Sequence, residues 1–110
     1  MKVIFHINEA ERWPRVIMNT VNFLRDVEGE AVVEVLANGA GVLAYSQGDR
    51  DLLSQMEELS GQGVYFAACR NALKLHGIFS ENLPPFVKVV SAGITELARK
   101  QAQGFAYIKP

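Results

Sequence analysis

Val64-Tyr65-Phe66-Ala67-Ala68-Cys69-Arg70-Asn71-Ala72-Leu73-Lys74-Leu75-His76 reads as a strand running directly into a helix. Val64 to Ala68 is a short apolar run of strand type, and the residues from Arg70 to His76 suit a helix. Cys69, the only cysteine in the chain, stands at the junction. A thiol at a helix N-terminus beside a guanidinium is an activated one. Unpaired N–H groups and the Arg70 charge both favour thiolate over thiol. One segment therefore carries a unit of α/β structure and the sharpest chemical lead, a reactive sulfur.

Four more strand-like runs flank it: Lys2 to Ile7, Ala31 to Ala37, Val87 to Val90 and Phe105 to Ile108. Helical patterns alternate with them, so the expected class is α/β with a mostly parallel five-stranded sheet. Trp13, Val16, Ile17, Thr20, Val21, Leu24 and Val27 recur at three- and four-residue steps, the mark of one buried helix face, and Pro14 fits only the first turn. Asp49 suits the cap of a helix that turns Leu52, Leu53, Met56 and Leu59 inward, with Gly61 as its left-handed exit. Ser91 is expected to cap a last helix carrying Ile94, Leu97, Ala98 and Ala102 inward, Glu96 and Lys100 outward, and Gly104 as its stop.

The 110 residues suit one domain, residues 1–110, with no linker or repeat. Hydrophobic residues make up 49% and charged residues 21%, ordinary globular usage that argues against extended disorder. A net charge of -1 offers nothing to a phosphate backbone or an anionic membrane, so neither nucleic acid nor membrane is expected as a partner. The apolar run Val3 to Phe5 is too short for a signal-peptide core or a span. A single cysteine forms no internal disulfide, and no Cys/His spacing reads as a zinc site. The expected location is the cytoplasm, with no metal and no cofactor.

In an open parallel sheet, ligands gather beyond the carboxyl ends of the strands. Three polar positions fall there: His6, Asn38 with Gly39, and Cys69. Whether they meet depends on strand order, which spacing leaves open. Against the reactive reading of Cys69 stands its use as a small buried hydrophobe. His6 lies inside an apolar strand pattern and suits a satisfied core histidine, while His76 before Gly77 suits a helix end. Gly39-Ala40-Gly41-Val42-Leu43-Ala44 resembles a dinucleotide loop but follows the second strand; a tight turn with backbone N–H groups free for a small anion fits better. Glu34 inside Val32-Val33-Glu34-Val35-Leu36 must be exposed, paired or covered by a subunit, and oligomer burial is the favoured reading. Trp13, Phe105 and Tyr107 read as core or interface aromatics.

Phe5-His6-Ile7, the run from Ser60 through Cys69 to Leu73, and the run from Ser91 to Pro110 together resemble the DsrE-like family, the YchN-like, sulfur-relay type. The likeness covers nearly the whole chain and is strongest from Gly61 onward. It implies a three-layer α/β/α fold with a five-stranded parallel sheet and assembly into trimers or hexamers. It also implies a cysteine, at the position of Cys69, that holds sulfur as a persulfide in some members. Ala72, Ser91-Ala92-Gly93 and Phe105 depart from the usual Thr, Pro-Ser-Gly and Trp of the small single-domain branch. Asn38, Gly39, Asn71, Arg70 and His6 are the accompanying candidates for ligand binding.

Three functions follow as expectations. The first is a carrier in which the Cys69 thiolate accepts sulfane sulfur from one protein and surrenders it to another. The second is a non-catalytic oligomer that binds a small anionic or nucleotide-like ligand between subunits, with Cys69 merely lining the cleft. The third, a sulfenic-acid redox cycle, ranks last because no resolving cysteine exists in the chain.

Overall fold

The computed structural model describes residues 1–110. Five strands, β1 (Lys2–Ile7), β2 (Val32–Ala37), β3 (Tyr65–Cys69), β4 (Val87–Val90) and β5 (Ala106–Ile108), form one sheet in the order β4-β3-β2-β1-β5. Every pairing is parallel. Each of the three central strands ends in four or five consecutive buried residues, as expected where both sheet faces are covered.

The helices are α1 (Trp13–Asp26), α2 (Leu43–Gln47), α3 (Arg50–Gly61), α4 (Arg70–Leu75) and α5 (Gly93–Ala102). Steps from β1 to β4 run in one direction across the sheet, and α1 to α4 pack their apolar side chains on one face with Val3, Phe5, Val33, Val35 and Phe66. The chain then crosses the whole sheet to place β5 beside β1, so α5 covers the other face. There Leu97 packs on Ile4, Leu36 and Ala67. The result is the expected three-layer α/β/α architecture.

Local sequence explains most of these elements. Pro14 lies in the first turn of α1, whose buried residues are Trp13, Val16, Ile17 and Thr20. Trp13 is fully buried between Tyr45 and Phe66, and its indole N–H donates to the Gly41 carbonyl at 2.8 Å. Asp49 caps α3 by accepting from the Leu52 N–H at 2.7 Å. The left-handed exit from α3 is Gly63, with φ of 102°, and not Gly61, which is the last helical residue.

α5 departs further from its apolar periodicity. Ala92, not Ser91, is its N-cap, and no side chain caps it. Its buried residues are Gly93, Glu96 and Leu97; Ile94 is 70% exposed, and Ala98 and Ala102 also face solvent. Glu96 therefore turns inward instead of lying on the outer face. The cause sits in the sheet. Glu34 points from β2 into this layer and is only 2% exposed. A buried carboxyl requires polar partners on the covering helix, and Lys100 supplies one at 3.6 Å. This helix of the same chain buries Glu34, so its burial does not require a subunit.

Candidate functional site

The sheet order brings together what spacing left apart. Because β3, β2 and β1 are neighbours, their carboxyl ends lie side by side, carrying Cys69, Asn38 and His6. The helix after β3 lies on one face and the helix after β4 on the other. The chain thus diverges between β3 and β4, the switch point at which open α/β sheets hold ligands. Cys69 pairs with Val90 across that divide.

A shallow cavity of about 350 Å³ opens there. Asn38 and Gly39 line it from the end of β2, Cys69 and Asn71 from β3 and α4, and Gly93 with Ile94 from the start of α5. Cys69 is 6% exposed and makes no disulfide. It is the N-cap residue of α4, with extended backbone, and its side chain caps nothing. The 3₁₀ turn that begins after Asn38 and the first turn of α5 also have no side-chain cap. First-turn N–H groups have no partner inside their own helix. Three turns whose backbone donors no side chain satisfies therefore border one thiol.

Glycines make this approach possible. A Cβ on Gly93 would lie 3.1 Å from Asn38 Cβ, 3.2 Å from Cys69 Cβ and 3.3 Å from Leu36 Cδ1. A Cβ on Gly41 would come within 2.4 Å of the Ile7 carbonyl oxygen, so the turn after β2 closes tightly on the end of β1. Gly39, with φ of 50°, takes the left-handed conformation that starts this turn. The Gly-x-Gly-x-x-Ala run is thus a tight turn against the neighbouring strand.

Of the residues singled out in the sequence, Cys69, Asn38, Gly39 and Asn71 border the cavity. His6 stands behind it. The residue is 8% exposed, with Nε2 2.8 Å from Asn38 Oδ1 and Nδ1 2.6 Å from the Tyr107 hydroxyl oxygen. Arg70 lines the adjacent groove with Leu73, Lys74 and Phe79 instead, because it lies one residue into α4 and projects to its other side. Its guanidinium does not border the Cys69 cavity. His76 ends α4 as an exposed C-cap whose N–H donates to the Ala72 carbonyl. No three His, Cys, Asp or Glu side chains cluster as a metal-binding set.

Sequence reading missed Gly93, Ile94 and Tyr107. The strand-end rule, applied to β4 as well, would have found the first two. Tyr107 carried no such signal, because its place beside His6 depends on β5 crossing to β1.

A second polar cluster lies deeper on the α5 face. Burial pushes the Glu34 carboxyl from 4.5 up to about 8, and the neighbouring Glu96 carboxyl adds to the effect while Lys100 opposes it. Glu34 Oε2 has no hydrogen-bond partner. Burial, followed by the charges of these two carboxylates, also raises the Tyr65 phenol.

The sequence model of the DsrE/DsrF-like family matches residues 2–110. The chain belongs to the DsrE/DsrF-like family. Among solved structures, MTH1491 from Methanobacterium thermoautotrophicum, a protein of unknown function, is 38% identical, with a TM-score of 0.91 over 99% of this chain and 98% of its own. BT1422 from Bacteroides thetaiotaomicron is 15% identical, with a TM-score of 0.79 over 99% and 94% of the two chains. The ychN protein from E. coli is 14% identical, with a TM-score of 0.78 over the full length of both. These last two share the DsrE-like fold. A search of the curated proteins finds no match. No helix of the chain is long and apolar enough to cross a membrane.

Proposed function

We propose that this DsrE/DsrF-like protein is a cytoplasmic sulfur carrier, with Cys69 as the residue that holds the sulfur. The supporting observation is the cavity where Cys69 meets three turns without side-chain caps. In the loading step the Cys69 thiolate attacks the outer sulfur of a donor persulfide, R–S–SH. The S–S bond of the donor breaks, Cys69–S–SH forms, and R–S⁻ leaves with the electron pair. In delivery an acceptor thiolate attacks the outer sulfur of Cys69–S–SH and the Cys69 thiolate departs. Neither step needs an outside oxidant or reductant. Both pass through anionic sulfur, which unsatisfied backbone N–H groups stabilise.

The burial of Cys69 suits storage, since a shielded persulfide is slow to meet oxidants. Leu75 and Ile94, both lining the cavity, are 80% and 70% exposed. They give the mouth an apolar rim on which a donor or acceptor protein, or another copy of the chain, can rest. The face under α5 also leaves Val32, Tyr65 and Tyr107 40–50% exposed, and assembly into trimers or hexamers would cover such a surface. Light scattering at micromolar concentration tests the assembly, and a monomer would contradict it.

Intact-mass measurement after mild incubation with glutathione persulfide tests the carrier. The expected product gains one sulfur atom, and Cys69→Ser gains none. Wild-type protein that takes up no sulfur refutes the proposal. The uncapped turns equally support a second reading, a binding site for a small anion in which Cys69 is only a wall. In that case Cys69→Ala leaves the ligand-induced thermal shift intact.

A further inference from the structure

Asn38 has one oxygen and one NH2 group on its side chain, and the structure fixes which of them can face the cavity. Asn38 Oδ1 accepts from His6 Nε2 at 2.8 Å, so Nε2 carries the proton. In the neutral imidazole His6 Nδ1 is then the acceptor for the Tyr107 hydroxyl at 2.6 Å. The three groups form a directed chain from β5 through β1 to the end of β2: Tyr107 O–H to His6, His6 N–H to Asn38. With Oδ1 committed, the Asn38 NH2 is left with no protein acceptor. Asn38 lines the Cys69 cavity, and its Cβ and that of Cys69 flank the same point above Gly93.

We propose that Tyr107 and His6 are positioning residues that hold the Asn38 amide with its NH2 toward Cys69, as a donor to the anionic sulfur of the carrier cycle. The inference rests on the sulfur-carrier reading for its purpose, and on the hydrogen bonds alone for its mechanism. Without the Tyr107 hydroxyl, Nδ1 loses its donor and the ring is free to adopt the other tautomer. Nε2 then becomes an acceptor. The Asn38 amide turns over to give it an N–H, and its carbonyl oxygen faces the sulfur, where it repels a thiolate or persulfide anion. A hydroxyl on the last strand thus sets the polarity of the cavity through two intermediates.

Tyr107→Phe removes only the hydroxyl from a side chain that is 41% exposed, so the variant is expected to fold. Three readouts are needed. Nitrogen NMR of the His6 ring should report the Nε2–H tautomer in wild type and a mixture in Tyr107→Phe. The alkylation rate of Cys69 by iodoacetamide should fall about ten-fold in Tyr107→Phe and in Asn38→Ala, as for loss of one hydrogen bond to a charged group. In the double variant the rate should fall no further than in Asn38→Ala alone, because Tyr107 acts only through Asn38.

Independent, multiplicative losses in the double variant would overturn the proposal, as would an unchanged His6 tautomer in Tyr107→Phe. None of these readouts requires sulfur transfer. A wild-type protein that never accepts sulfur therefore defeats the carrier reading while leaving the chain Tyr107–His6–Asn38 to be judged by itself. His6→Phe, which removes the middle of the chain, should lower the alkylation rate by no more than Asn38→Ala does; a wild-type rate would count against the proposal.

Discussion

Glu34→Gln should stabilise the protein at neutral and alkaline pH and flatten the pH dependence of its folding. Glu34 is 2% exposed, its Oε2 has no hydrogen-bond partner, and its nearest cation is the Lys100 ammonium at 3.6 Å. Burial is the largest cause that lifts its carboxyl to about 8, followed by the Glu96 carboxyl. The folded chain therefore holds this proton more tightly than the unfolded chain does. The contribution is fully present below the unfolded value of 4.5 and is lost as the pH rises toward and through 8. One proton released on unfolding corresponds to a slope of about 1.4 kcal/mol per pH unit, so about two units inside that window cost on the order of 3 kcal/mol.

Glutamine has nearly the shape of the protonated carboxyl, retains a donor for Glu96, and never ionises. Urea unfolding at fixed protein concentration, repeated from about pH 5 to about pH 8, reads the difference between variant and wild type. The two should be within about 1 kcal/mol at the acid end, where wild-type Glu34 is itself neutral, and the variant should be ahead by roughly 2–3 kcal/mol at the alkaline end. Titrations of groups that do not interact with Glu34 cancel in that difference. A difference that stays level across the range, or a variant less stable throughout, refutes the reasoning. Either would mean that Glu34 is ionised in the fold and held by Lys100.

Gly93→Ala should slow Cys69 alkylation and destabilise the fold by about 1 kcal/mol, because the new methyl group crowds Asn38, Cys69 and Leu36 at 3.1–3.3 Å. The same urea and iodoacetamide measurements read both effects, and unchanged values would show that the approach is slack. Gly41→Ala should be worse, roughly 2–3 kcal/mol, since its Cβ would lie 2.4 Å from a backbone oxygen of β1 that cannot swing aside. A thermal midpoint equal to wild type would contradict that.

The sheet was largely legible in the sequence because parallel strands covered on both faces are written as short apolar runs, and β1 and β4 fall on the expected residues. The other three begin one residue later than drawn, and β3 also takes in Cys69, a shift within the usual fraying of element ends. α1 and α3 were legible for a related reason: an amphipathic face and a cap are local signals. Strand order was not. It decides that Cys69, Asn38 and Gly93 meet, and it comes from the crossover of α5, which leaves no mark at any one residue. Tyr107 shows the limit most clearly. Its hydroxyl matters only because β5 lies beside β1, so its pairing with His6 is a property of topology.

The rotation of α5 links the buried acid to the thiol. Apolar periodicity favours a helix with Ile94, Leu97, Ala98 and Ala102 inward, and that is not the helix observed. The observed one turns Glu96 inward and brings Lys100 to 3.6 Å from Glu34, at the cost of exposing Ile94. A buried carboxyl without polar partners costs several kcal/mol, whereas exposing one isoleucine costs about 2, so the polar group on β2 outweighs the apolar pattern on α5. The same rotation sets Gly93 against Cys69 and Asn38 and leaves Ile94 on the rim of the cavity. Glu34 therefore acts on the Cys69 cavity without touching it, as the group that selects the face α5 presents to the sheet. Replacing both Glu34 and Glu96 by leucine would remove the selection. α5 would then be free to turn Ile94 inward, taking Gly93 off the thiol and an aliphatic side chain off the rim.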